Sequence, residues 1–98
     1  MQKGYWFVAY RSVSDEAALK AYGVLAVQAI ADNGGKIIVR TADAVEPREA
    51  GLMQRTVVVE FESFVQAQRV YASDAYQAAL RALGAGAERD FRIVEGLA

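Results

Sequence analysis

The sequence predicts a ferredoxin-like α+β fold, in which helices cover a four-stranded antiparallel sheet. The first observation is the order of its patterns, β-α-β-β-α-β, within a chain of 98 residues that is long enough for one domain, 1–98. The second is that the segments after the first and third strands open with helix-capping residues. The third is a hydrophobic content of 54%, which predicts more apolar surface than a single domain of this size hides.

The first half of the chain contains two predicted strands and one helix. Tyr5–Tyr10 is aromatic and rich in β-formers, so it predicts strand one. Ser14, Asp15 and Glu16 then provide a helix N-cap and acidic residues for the first turn. The helix ends in the turn formers of 32–35, and Lys36–Arg40 is strand two. One helical stripe contains Ala18, Tyr22, Leu25, Ala26 and Ala29.

The second half begins with a surface connection over 41–53, which holds the only proline. Gln54–Phe61, with three consecutive valines, predicts strand three. Ser63 to Gln66 is a capping-box pattern that opens helix two, and a break near Ala72–Asp74 is expected because Ser73 can cap a further segment over 75–83. Arg89–Val94 is strand four.

Alternation along the strands predicts two sheet faces. The face toward the helices is expected to hold Phe7, Ile37, Val39, Val57, Val59, Phe61, Phe91 and Ile93. The second face is expected to hold Trp6, Val8, Tyr10, Ile38, Arg40, Thr56, Val58, Glu60, Arg92 and Val94. That second face is too apolar for water, so a second copy of the chain, packed sheet to sheet, is expected to cover it. The expected contacts of this homodimer are Trp6, Val8, Ile38, Val58 and Val94.

Five stretches in register resemble one known family. They are Gly4 to Val8, Gly34 to Arg40, Val57 to Ser63, Tyr71 to Ala79 and Ile93 to Gly96, and together they resemble the bacterial domain of unknown function 1330 family over nearly the whole chain. The resemblance implies a ferredoxin-like fold that dimerises into an α/β barrel, and it implies no established activity. The chain departs from the family pattern at Asp74 and Ala75, where Pro-Glu is usual, and at Val70, where an aromatic residue is usual.

Charged and aromatic residues of the predicted second face are the candidate site. For Arg40, Glu60 and Arg92 three interpretations remain open: a network that fixes the register of two packed sheets, a site for an anionic small molecule, or side chains that reach solvent at the ends of the barrel. Trp6 and Tyr10 form either part of the dimer core or an aromatic wall for a ligand. Tyr22, Tyr71 and Tyr76 are expected to pack through their rings and to place their hydroxyls at the edge.

Composition excludes several classes of function. The chain has no Cys and no His, which excludes thiol nucleophiles, imidazole bases and His-containing triads, and no metal, cofactor or catalytic motif is predicted. A net charge of −1 without a basic block argues against nucleic acid as a partner. No apolar run approaches the length of a membrane span or a signal sequence, so the chain is expected to act in the cytoplasm without a membrane partner.

Two functions therefore remain as interpretations of the sequence. One is a homodimeric binding or accessory module with a small, partly apolar cavity for a small-molecule ligand. The alternative is a cofactor-independent enzyme of the dimeric-barrel type, a monooxygenase or isomerase acting on a small aromatic or activated substrate. A base for that enzyme would have to be Glu60, since the chain has no His.

Overall fold

The computed structural model describes residues 2–98 and has the predicted ferredoxin-like α+β fold. All four predicted strands and the helical segments are present, although the first and last strands are longer than expected and the third begins two residues later. The elements are β1 (Gly4–Val13), α1 (Glu16–Asp32), β2 (Lys36–Thr41), β3 (Thr56–Phe61), α2 (Phe64–Ala72), α3 (Asp74–Leu83) and β4 (Ala87–Glu95).

Capping residues set the helix boundaries where the sequence predicts them. The Asp15 side chain accepts a hydrogen bond from the Ala18 backbone N–H at 3.0 Å, so Asp15 is the N-cap of α1. Ser63 accepts from the Gln66 N–H at 3.1 Å and caps α2. The predicted break is confirmed at Ser73, whose extended backbone ends α2 and whose hydroxyl caps α3.

The sheet has the order β2-β3-β1-β4, and all three strand pairs are antiparallel. The two central strands, β1 and β3, therefore have a neighbour on each side, whereas β2 and β4 are the edges. The helices all pack on one side, and the molecule is only 17 Å thick in its shortest dimension. This thickness fits one sheet and one helical layer, so no element of the described residues covers the other face of the sheet. Within residues 2–98, no helix combines the length and the apolar character needed to cross a membrane.

The predicted face of β1 is wrong. Residues directly opposite each other on antiparallel strands share a face, and Trp6 is opposite both Val59 and Ile93. Trp6, Val8 and Tyr10 therefore point toward the helices and are at most 4% exposed, whereas Phe7 is 47% exposed on the open face. Both alternating sets of β1 contain aromatic residues, so alternation within the strand alone could not decide which set faces inward.

A bulge in β2 makes the predicted faces of Val39 and Arg40 wrong as well. The register shifts between Ile37 and Val39, so that Val39 is opposite Val58 on the open face and Arg40 is opposite Val57 on the helix face. The sequence predicts the reverse for Val39 and Arg40, because strict alternation does not anticipate an extra residue. The predicted inward positions of Ile37, Val57, Val59, Phe61, Phe91 and Ile93 are confirmed by their packing in the core.

Candidate functional site

A cavity of about 50 Å³ lies between α1 and the sheet. It forms because α1 packs chiefly against α3 and makes few contacts with β2, so the β2 side of the inner sheet face is only partly covered. Its lining residues come from α1, from all four strands and from the residue before β3. They are Trp6, Val8, Tyr10, Leu19, Tyr22, Gly23, Ala26, Val27, Ile30, Ile37, Arg40, Arg55, Val57, Val59 and Arg89.

One end of the cavity is cationic and aromatic. Arg89 is opposite Tyr10 in the β1–β4 pair, and its guanidinium carbon lies 5.5 Å from the centre of the Tyr10 ring. The guanidinium carbon of Arg55 lies 6.0 Å from the centre of the same ring. The Arg55 backbone is held beside Tyr10, because the Tyr10 N–H donates a 3.0 Å hydrogen bond to the Arg55 carbonyl. Tyr10 thus contacts two guanidinium groups, an arrangement that cation–π attraction favours.

A hydrogen-bonded chain extends from this end into the helical layer. Arg89 donates to the Tyr22 hydroxyl at 3.0 Å, and the Tyr22 and Tyr76 hydroxyls are 2.6 Å apart. Burial, reinforced by Tyr22, raises the pKa of the Tyr76 phenol well above its ordinary value of 10.0. Burial likewise raises the pKa of Tyr10. Both phenols therefore remain neutral at physiological pH and leave the positive charge of Arg89 uncompensated.

No acid balances the positive charge at this end of the cavity. The lining contains three arginines and no Asp or Glu, and within residues 2–98 none of the three forms an ion pair. The Nε of Arg55 is buried and has no hydrogen-bond partner among the same residues. Buried polar groups normally have a partner, so an unpaired guanidinium nitrogen beside a cavity indicates a position for an external acceptor. The arrangement is chemically suited to hold an anion.

The other end of the cavity is apolar. Trp6, Val59 and Ile37 are aligned across three neighbouring strands, and Ile30 lies above them on α1. Gly23 lines the cavity between the two ends, and a Cβ added there would have no atom within 4 Å. Because a glycine inside a helix destabilises it relative to alanine, Gly23 leaves space in the cavity at a cost to helix stability.

The structure separates the residues of the predicted site. Trp6, Tyr10 and Arg40 all line the cavity, on the helix side of the sheet. Glu60 lies on the open face, opposite Tyr5, and pairs there with Lys3 at 3.7 Å. Arg92 is exposed on the same open face, opposite Phe7. The predicted network of Arg40, Glu60 and Arg92 is therefore wrong, since the β2 bulge places Arg40 on the opposite side of the sheet from the other two.

Those two charges have local partners instead. The guanidinium of Arg92 forms two hydrogen bonds of 3.1 Å to the Asp90 carboxylate, two residues away on the same strand. Arg92 lowers the pKa of the Asp90 carboxyl through these hydrogen bonds.

Residues 2–98 contain no group of three His, Cys, Asp or Glu side chains positioned to hold a metal ion.

Among the cavity residues that sequence reasoning missed, four determine its charge and shape: Tyr22, Gly23, Arg55 and Arg89. A signal existed for Arg89, which is two residues before Phe91 and therefore shares the inward face that Phe91 was predicted to occupy. Tyr22 was expected to place its hydroxyl at the edge, but that hydroxyl is buried against Tyr76. Nothing in the sequence indicates the space at Gly23 or the position of Arg55, because both depend on how α1 lies over the sheet.

Comparison with known proteins finds a matching family model and solved structures with the same fold. A family model described as a domain of unknown function, DUF1330, matches residues 3–97. None of the curated proteins matches the sequence. Among solved structures, the RPA0582 protein of unknown function from Rhodopseudomonas palustris superposes with a TM-score of 0.75 at 14% identity, covering 99% of this chain and 84% of that one.

Two other solved structures with the same fold have an activity in their names. A protein from Nitrosomonas europaea, assigned as an antibiotic biosynthesis monooxygenase, has a TM-score of 0.58 at 17% identity and covers 100% of both chains. A protein from Caulobacter crescentus with the same assignment has a TM-score of 0.58 at 12% identity, covering 99% of this chain and 91% of that one. At these identities the likeness shows a shared fold.

Proposed function

The chain belongs to the DUF1330 family, whose description names no activity, and from its cavity we propose that the protein is a homodimeric module that binds a small molecule between α1 and the sheet. The observation that carries this proposal is the unpartnered Arg55 Nε beside a cavity lined by apolar side chains and three arginines without acids. A concave, mostly apolar site with a few convergent polar groups is the usual form of a small-molecule site.

The proposal is tested by a fragment screen followed by nuclear magnetic resonance of the ¹⁵N-labelled protein. Bound fragments should shift the amide signals of Tyr10, Gly23 and Arg89, which surround the cavity. Gly23→Leu should abolish these shifts, since a side chain at this position extends into empty space. Val24→Leu is the matched control, because Val24 is 70% exposed and does not line the cavity. Binding that persists in Gly23→Leu would contradict the proposed location.

The open face of the sheet supports the homodimer. Val58 is opposite both Phe7 and Val39, which are 47% and 38% exposed, and Val94 is opposite Tyr5 on the neighbouring strand pair. No helix of residues 2–98 covers this apolar centre, and salt bridges of Lys3 and Arg92 lie near it. When two such faces pack against each other about a two-fold axis, the apolar centre of both copies is buried. The dimer then has four layers, with the two sheets inside and the helices outside.

The corrected face changes which residues form the proposed interface. Val58 and Val94 remain in it, and so does Ile38, which is 45% exposed at the β2 bulge. Phe7 replaces Trp6 there, and Trp6 and Val8 belong to the interior of each chain. Light scattering should give about twice the chain mass of 10.6 kDa. Phe7→Glu should halve that mass, whereas Val24→Glu on the outer side of α1 should leave it unchanged. A wild-type protein of 10.6 kDa would refute the homodimer.

The second candidate is a cofactor-independent enzyme of the monooxygenase type. The observation in its favour is the hydrogen-bonded chain from Tyr76 through Tyr22 to Arg89 at the cavity, in a fold shared with proteins assigned as monooxygenases. The cavity of about 50 Å³ is small for an aromatic substrate, and Glu60, the base that the sequence suggests, lies on the other face. Oxygen uptake with small phenols that is lost in Tyr22→Phe would favour the enzyme over the binding module.

A further inference from the structure

The cavity has two chemically different ends, and together they indicate what class of molecule it holds. We propose that its ligand is a short-chain monocarboxylate, with the carboxylate between Arg55 and Arg89 and the alkyl chain extending past Gly23 toward Ile37. This inference rests on the proposed function, since it names the ligand class of the same cavity. It makes Arg55 the residue that recognises the charge and Gly23 the residue that sets the permitted chain length.

The polarity of the cavity follows the direction of the strands. Arg89 is opposite Tyr10, whereas Ile37 is opposite Val59, which is itself opposite Trp6. Tyr10 and Trp6 are four residues apart on β1, which is about 14 Å at about 3.4 Å per residue. A ligand with its charged head beside Tyr10 therefore directs its apolar chain along β1 toward Trp6, and a short chain covers the first part of that distance.

The arginine geometry favours a carboxylate head. Guanidinium groups bind planar carboxylates through paired hydrogen bonds, and the Nε of Arg55 is a buried donor that lacks an acceptor. Arg89 uses one nitrogen on the Tyr22 hydroxyl and contacts Tyr10 through its face, which leaves further N–H donors available. Inorganic phosphate could also accept from arginines, but it would leave the apolar half of the cavity empty.

The size of the cavity favours a short chain. Its volume of about 50 Å³ is a third of the roughly 150 Å³ of an apolar cavity that binds benzene. A chain of two to four carbons occupies such a space better than a ring does. The absence of a side chain at Gly23 provides the room for the last carbons, since a Cβ built there meets nothing within 4 Å.

Titration with a series of small molecules tests the ligand class. Trp6 is the only tryptophan and lines the cavity, so its fluorescence reports binding there, and amide shifts of Gly23 and Arg89 confirm the location. We expect butyrate to bind more tightly than propionate and propionate more tightly than acetate. Butyramide, its uncharged counterpart, should bind at least about tenfold more weakly, and phosphate should not bind at the cavity.

Three variants assign the two roles. Arg55→Met should weaken butyrate binding at least about tenfold, whereas Arg69→Met, an exposed arginine on α2 outside the cavity, should leave it unchanged. Gly23→Ala should weaken butyrate more than acetate because its methyl group shortens the apolar half. The same substitution should raise the melting temperature by about 2–8 °C, which shows that the variant folds.

The outcomes separate this inference from the proposed function. If butyramide, butylamine or phosphate binds as well as butyrate, or if Arg55→Met binds butyrate normally, the carboxylate class is refuted while binding in the cavity stands. If acetate and butyrate lose affinity equally in Gly23→Ala, the role of Gly23 in chain length is refuted. If no fragment of any charge shifts the cavity signals, the proposed function itself fails.

Discussion

Replacing Trp6 with phenylalanine tests the corrected orientation of β1. Trp6 is 1% exposed, and its indole N–H donates to the Ala67 carbonyl on α2 at 2.9 Å. Its ring also packs against Phe61 and Tyr76, with centroids 4.9 Å and 4.7 Å away. Trp6→Phe keeps an aromatic ring, so the expected loss comes from the missing hydrogen bond and from the smaller volume.

The two losses can be added approximately. The lost hydrogen bond costs about 0.5–1.5 kcal/mol, because the Ala67 carbonyl lies inside α2 and keeps its helical N–H donor. The space left by the smaller ring costs about 1 kcal/mol more. The free energy of unfolding should therefore fall by about 1.5–2.5 kcal/mol, out of the roughly 5–15 kcal/mol of a typical domain. With a urea slope of about 2 kcal/mol/M, the unfolding midpoint falls by about 1 M.

Urea unfolding followed by far-ultraviolet circular dichroism measures this loss without the tryptophan. Phe7→Leu is the matched control on the same strand, since Phe7 is 47% exposed on the opposite face. The loss at Trp6 should be the same at every protein concentration, whereas a loss at Phe7 should depend on concentration because that residue lies in the proposed interface. A loss at Trp6 that depends on protein concentration would restore the sequence-based orientation of β1, and a loss below about 0.5 kcal/mol would refute the burial of Trp6 in either orientation.

Two further predictions concern pH and backbone packing. Burial raises the pKa of Tyr10 and Tyr76, so the unfolded chain loses the protons of these phenols at lower pH than the folded chain does. The free energy of unfolding should therefore be unaffected below about pH 10 and fall above it by up to about 1.4 kcal/mol per pH unit for each tyrosine. In chemical denaturation between about pH 9.5 and 11, Tyr76→Phe should show a smaller fall than the wild type. An identical slope in that variant would contradict the retained proton. Gly4→Ala should lower the melting temperature by at least about 5 °C, since the added Cβ would lie 2.7 Å from the Phe64 Cα at the start of α2. An unchanged melting temperature would show that β1 and α2 can move apart at this contact without loss of stability.

The sequence by itself determined the order of elements, because the local signals are strong and consistent. Asp15, Ser63 and Ser73 each accept a hydrogen bond from a backbone N–H of the helix they precede, and this capping depends only on neighbours within four residues. The valines of β3 and the order β-α-β-β-α-β then permit few sheet topologies. The strand order β2-β3-β1-β4 follows from that pattern.

Only the tertiary structure decided which face each β1 and β2 residue occupies. Trp6 and Phe7 are both large aromatic residues, so either phase of alternation would bury one of them, and the choice depends on the register with Val59 and Ile93. The bulge after Ile37 moved Arg40 to the helix side, which alternation cannot anticipate. The cavity depends on long-range packing as well, since Arg55, Arg89 and Gly23 meet only because α1 lies against α3 and leaves part of the sheet uncovered. Local patterns determine elements through contacts within one or two turns, whereas a site assembled from one helix and four strands depends on contacts between residues far apart in the sequence.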